Sequence, residues 1–398
     1  MPPRLRLLLG GCLVALLICA GCSGGRAELP RDELYRRLEL AGKANLDLIS
    51  EMQGRIGRAL AADLAAGRRP SIDILTLSGG GDWGAYGAGF LRAWSKIPAD
   101  DPRAMPDFDL VSGISTGALI APYAFLGLYD RVDELYRSSS TDWAREHKLY
   151  ALASGTSLYD ISVLEQRIQE ESIQILAPAL RARTDSQRSL LVATSDLDLG
   201  ILRLWDLQTT AADPERLYQI QRAAIAIPAA FEPVIVDGTL QADAGVMMQL
   251  IAVGRVQGMI DALEVWNRAN PATPARLRYW VVVNNRTHEP PRTVQPTWHG
   301  SLMRTSNLML KAGVIAPLKN LALRTQVLRN RGIEAEFRWT AIPPDFPIDD
   351  SLSPFDPRTT CTLSDLGRRI ALSESPWQTL APLYLQHEED AGDTSAAP

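Results

Sequence analysis

Apolar residues recur at three- and four-residue spacing at Ile49, Met52, Ile56, Leu60 and Leu64. That period gives a helix with one apolar stripe, running from Arg31 to Gly67, where Gly67 and Pro70 stop it. The pattern then shortens. Ile72 to Leu77 is a compact β-rich run, followed by the glycine-rich Ser78 to Gly89 and a helix to about Ile97. Phe108 to Ser112 is a second strand, which enters Gly113-Ile114-Ser115-Thr116-Gly117 and a helix. Leu190 to Thr194, Tyr279 to Val283 and Phe337 to Ala341 are further strands. Val163 to Leu180, Leu217 to Ile227, Leu302 to Asn330 and Leu363 to Leu372 are helical, the third broken at Gly313 and Pro317. Strands alternating with helices predict an α/β layer fold around a largely parallel sheet.

The first twenty-two residues follow a different pattern. Arg4 and Arg6 precede the apolar stretch Leu7 to Ile18, which is shorter than the roughly 20 residues a spanning helix needs. It reads as the apolar region of a signal peptide. Cys19-Ala20-Gly21-Cys22 resembles a bacterial lipobox, with Cys19 where Leu is usual. The resemblance implies cleavage before Cys22, lipid on Cys22 and a bacterial membrane as partner. Ser23, in place of Asp, resembles lipoproteins sorted to the outer membrane. The chain thus divides into a signal peptide (1–21), a tether (22–30), a helical lead-in (31–70), an α/β domain (71–380) and a polar tail (381–398) expected to be disordered.

Composition adds bounds. The 398 residues are 46% apolar and 22% charged, which is ordinary for a globular protein. A net charge of −5 and no long basic run argue against a nucleic-acid partner. Loss of Arg4 and Arg6 takes the charge to −7. Of the four Cys, only Cys22 and Cys361 then remain, too few for a disulfide framework. Cys361 is read as an inert thiol.

Three segments carry candidate chemistry. Gly113 to Gly117 fits G-x-S-x-G between a strand and a helix, the setting of a nucleophile elbow. Side chains two residues away on either side would crowd the turn, so both positions want Gly. Gly79-Gly80-Gly81-Asp82-Trp83-Gly84 fits G-x-G-x-x-G, but the acidic residue of a dinucleotide site should end a second strand. Asp100 and Asp101 lie in a polar loop instead. The alternative is an oxyanion hole of backbone N–H groups. The base is open between His288 or His299, in chain order for a Ser–acid–His triad, and Asp243 in Leu240-Gln241-Ala242-Asp243-Ala244-Gly245. No metal-ligand cluster is visible.

Taken in order, Gly79-Gly80-Gly81, Gly113-Ile114-Ser115-Thr116-Gly117, Ile227-Pro228…Phe231-Glu232-Pro233-Val234 and Asp243-Ala244-Gly245 resemble the patatin-like phospholipases. Leu190 to Asp198 and Trp339 to Phe346 extend the resemblance over about Ile72 to Trp377. It implies a three-layer α/β fold with a mostly parallel sheet, a Ser115–Asp243 dyad, an oxyanion hole at Gly79, Gly80 and Gly81, a lipid ester substrate and no cofactor. Asp237-Gly238 is instead a turn between two short strands. The chain departs from the family at two places. Trp83 stands where Arg or Lys is common, which leaves neutral lipids and other esters open as substrates. Ala244 replaces a usual Gly, a strained choice if the turn needs φ > 0. A Ser–His–Asp esterase of small esters and a catalytically idle, lipid- or partner-binding envelope lipoprotein are the alternatives. The apolar stretch Leu302 to Leu318 either packs in the core or borders the acyl site and membrane. Oligomeric state, head group and acyl position are not readable.

Overall fold

The computed structural model describes residues 26–147, 157–183, 187–251, 257–288, 291–349 and 351–382. The signal peptide, Cys22 and nearly all of the tail lie outside the described residues. Helix α1 (Arg31–Ala65) leads to strand β1 (Ser71–Leu77), then α2 (Gly84–Trp94), β2 (Leu110–Gly113) and α3 (Thr116–Leu126). Strands β3 (Ser189–Asp196), β4 (Ile201–Asp206), β5 (Val234–Val236), β6 (Thr239–Asp243) and β7 (Arg276–Arg286) follow. The chain then forms α4 (Trp298–Asn330), β8 (Glu334–Ile342) and α5 (Pro357–Ala371).

One eight-stranded sheet runs in the order β8-β7-β1-β2-β3-β6-β5, with β4 also on β3. The β8-β7-β1-β2-β3 portion is parallel, β4 and β6 pair antiparallel with β3, and β5 pairs antiparallel with β6. Alternate residues of each strand feed two different cores. Leu75, Leu77, Val111, Val192 and Val282 face one layer with Phe90, Trp94 and Phe125 from α2 and α3. Ile72, Ile74, Leu110, Leu277 and Val281 face the other, which contains Met52, Ile56 and Leu60 from α1 and Val314, Leu318 and Leu321 from α4. The result is the mixed α/β, helix–sheet–helix arrangement that the alternating pattern implies. The stripe of α1 stops at Leu60, because Leu64 is exposed. Gly67 takes φ +66° just past the helix end.

Helix α4 differs from the sequence expectation. It runs unbroken through Gly313 and Pro317. Pro317 removes one helical hydrogen bond, whose acceptor would be Gly313 four residues earlier. Burial of Val314 and Leu318 offsets that loss. Gly313 is there for proximity: a Cβ on it would sit 2.9 Å from Gln249 Cγ. Among its described side chains, Val314, Ile315 and Leu318 are core, whereas Leu308 and Met309 are exposed. No helix among the described residues is long and apolar enough to cross a membrane.

Candidate active site

Parallel strands put their loops at one edge of the sheet, and ligands bind there. Strand β1 ends in the glycine loop, and β2 ends in Ser115. Ser115 sits at φ +54°, ψ −126°, a conformation rare for a residue with a side chain. The turn is that tight because a Cβ on Gly113 would meet Gly117 O at 2.0 Å. One on Gly117 would meet Leu77 O at 2.4 Å. Both flanking positions therefore require glycine, as the motif predicts. The Ser115 side chain stands at the start of α3, whose N-terminal peptide dipoles favour negative charge.

Sheet register brings Asp243 to it. Strand β2 pairs with β3 only as far as Gly113↔Val192. Antiparallel β6 then pairs with β3 and finishes at Thr194↔Asp243. Two strands running in opposite directions thus approach end to end along β3, and Ser115 and Asp243 lie at their facing ends. Asp243 is buried, and its Oδ1 accepts the Gly245 N–H at 2.7 Å. Burial pushes its carboxyl up from 3.8 to about 6, while hydrogen bonds from Ser115 and Gly245 pull it down. Ala244 forms a short 3-10 turn without positive φ, so the small side chain is accommodated without strain. Asp237 and Gly238 have φ of +54° and +76° and turn β5 into β6, as expected.

The glycine loop is clamped from both sides. Ser78 Oγ donates to Gly79 O at 2.7 Å and accepts the Asn284 N–H at 2.8 Å. Asn284 Nδ2 donates to Ser78 O at 2.9 Å. A Cβ on Gly80 would lie 1.9 Å from Asn284 O, whereas one on Gly81, at φ +61°, would meet nothing within 4 Å. Gly81 therefore borders open space, and Ser115 lines the same space. Gln249 and Asn284 are supports that the sequence motifs do not flag. Gln249 Nε2 donates to Gly245 O at 2.9 Å, and its Oε1 crowds the Cβ position of Gly79.

Two cavities meet at Gly81, Ser115 and Ile227. One is narrow and mainly apolar and runs between Leu119, Val132, Leu164, Ile168 and Phe231. Apart from Gly81 and Phe355, its lining comes from the segment between Ser115 and Phe231, and no described side chain of α4 takes part. The other, of about 520 Å³, opens over the glycine loop and Asp243 toward Arg286 and Arg292. His288 lines neither, and its Nδ1 shares a hydrogen bond with Thr287 Oγ1 at 3.1 Å. The side chain of His299 lies outside the described residues. Cys361, half-buried, is a free thiol against Arg137 O.

A mostly parallel α/β sheet thus brings a strained Ser, a buried Asp and a clamped glycine loop together at one edge. Residues 75–252 match the family model described as patatin-like phospholipase. That match supports a lipid acyl hydrolase with a lipid substrate. No curated protein matches the chain.

Proposed function

We propose that this protein is a membrane-anchored serine lipid acyl hydrolase that cleaves carboxylic esters of phospholipids or related lipids. The observation that carries the reading is the apposition of Ser115 and Asp243 where an apolar cavity meets a polar one. An acyl chain fits the first and an alcohol or head group the second. Ser115 Oγ attacks the ester carbonyl carbon as Asp243 takes the hydroxyl proton. The oxyanion faces backbone N–H groups at Gly79, Gly80 and Gly81. Collapse breaks the bond to the alcohol oxygen, which leaves with the proton from Asp243. Asp243 then takes a proton from water, and the resulting hydroxide attacks the acyl-enzyme carbonyl. The second collapse releases the fatty acid and returns the proton to Ser115.

The expected result of incubation with a fluorophosphonate is covalent labelling at Ser115, lost in Ser115→Ala, with lipid-ester hydrolysis lost in parallel. A wild-type protein that turns over lipid esters yet resists labelling would overturn the serine mechanism.

The anchor is the second half of the proposal. The lipobox-like Cys19-Ala20-Gly21-Cys22 and Ser23 support lipidation at Cys22 and residence in the cell envelope, at the outer membrane. A mature charge of −7 gives little attraction to anionic lipid, so the acyl chains have to supply the adhesion. In cell fractionation, Cys22→Ser is expected to move the protein from the membrane to the soluble fraction. Unchanged membrane residence would remove the anchor from the proposal.

A further inference from the structure

The glycine loop carries Trp83 where a cation is common in similar proteins, yet a cation stands beside it. Arg286, the last residue of β7, lies with its guanidinium carbon 5.4 Å from the centre of the Trp83 ring. Only 5% of Arg286 is exposed. Its Nη2 donates to Phe346 O at 2.6 Å, and no carboxylate pairs with it among the described residues. Its Nε is buried with no hydrogen-bond partner. Arg286 lines the polar cavity together with Gly79, Gly80, Gly81 and Ser115. Two carboxylates besides Asp243 share that cavity, and both are already engaged. Asp82 accepts the Phe355 N–H at 3.1 Å, and Asp349 accepts the Ser351 N–H at 3.0 Å. Arg292, at the exposed rim, adds a second positive charge.

A buried guanidinium with no carboxylate beside it is costly unless another anion pairs with it. Its planar fork fits phosphate oxygens, and stacking on an indole holds the fork in place. We propose that Arg286, braced on Trp83, anchors the phosphate diester of the substrate head group while the ester carbonyl lies at Ser115. The cation that the loop lacks in sequence is thereby supplied in space from a strand some two hundred residues later. This assignment rests on the reading of Ser115 as the attacking group, and its test is arranged so that the two fail separately.

The first measurement is the ratio of kcat/KM for phosphatidylglycerol to that for diacylglycerol in mixed micelles. Arg286→Gln is expected to lower this ratio about 10- to 100-fold, the size of a lost hydrogen bond to a charged group. If Arg286 only holds the Phe346 carbonyl, both substrates suffer alike, and an unchanged ratio overturns the proposal. Should that variant not fold, Trp83→Leu removes the brace and is expected to lower the same ratio. The second measurement is calorimetric binding of glycerophosphoglycerol and of inorganic phosphate to Ser115→Ala protein, which needs no turnover. The diester should bind more tightly than inorganic phosphate, and adding Arg286→Gln should abolish its binding. Equal binding of inorganic phosphate would assign the pocket to free phosphate and overturn the head-group assignment, as would diester binding that ignores Arg286→Gln. Diester binding without turnover of either ester by the wild type would sink the catalytic reading and leave the anion site standing.

Discussion

Asp243→Asn should lower kcat/KM for lipid esters by about 10⁴-fold and at the same time make the protein more stable at pH 8. The first half follows from the chemistry. The amide keeps an acceptor for the Gly245 N–H but takes no proton from Ser115. Ser115→Ala should be equally inactive, and the double variant no worse, because the two side chains act in one step. The second half follows from burial. The Asp243 carboxyl titrates at about 6 in the folded protein, against 3.8 in a free side chain. The folded state therefore holds the proton more tightly, and stability falls as pH rises between those values. Above about pH 6 the full penalty is present, and it amounts to about 3 kcal/mol. The amide carries no charge and escapes it. Thermal melts should show the variant above the wild type at pH 8, with the gap closing toward pH 4. The same titration makes wild-type kcat/KM fall tenfold per pH unit below about pH 6, where an ordinary Asp would hold activity to about pH 4. An Asp243→Asn enzyme that keeps a tenth of its activity would put the base elsewhere.

Gly80→Ala is the second large effect expected. The new methyl would sit 1.9 Å from Asn284 O, a backbone atom of β7 that cannot swing aside. Either the glycine loop or β7 has to move, and overpacking of this kind costs about 1–3 kcal/mol or more. The loop's N–H groups then lose their aim at the oxyanion, and kcat should fall about 10²- to 10³-fold. Gly81→Ala separates strain from collision. Its Cβ meets nothing within 4 Å, but φ is +61°, so the stability cost should stay near 1–2 kcal/mol. Parallel thermal melts and kinetics on the two variants check this. Equal melting temperatures for Gly80→Ala and wild type would show that the loop is looser than the Asn284 clamp implies.

The sequence made a good part of the fold legible because strands and helices write their own periods. The runs Ile72 to Leu77 and Tyr279 to Val283 emerge as core strands of the parallel portion. Strand β4 escaped because Ile201 to Asp206 carries Arg203 and Asp206 within its six residues, which blurs an apolar pattern. The break assigned to α4 at Gly313 and Pro317 was a local inference, and burial of Val314 and Leu318 overrides it. Gln249 and Arg286 escaped for another reason. Neither belongs to a short motif, and each matters only through what it faces.

By itself, the sequence determined the tight turn at Ser115 and the glycine loop. In both, local sterics demand particular residues at fixed short spacing, whatever the rest of the chain does. It also marked Asp243 through the order of segments along the chain. Tertiary structure decided what those segments do together. The end-to-end approach of β2 and β6 on β3 joins Ser115 to Asp243, the segment from Ser115 to Phe231 supplies most of an apolar cavity, and Arg286 from the end of β7 stands over Trp83. Each of these joins residues dozens to hundreds apart, through sheet register and packing. A one-residue slip in that register would reverse every side chain and dissolve the site, so no local pattern could announce it.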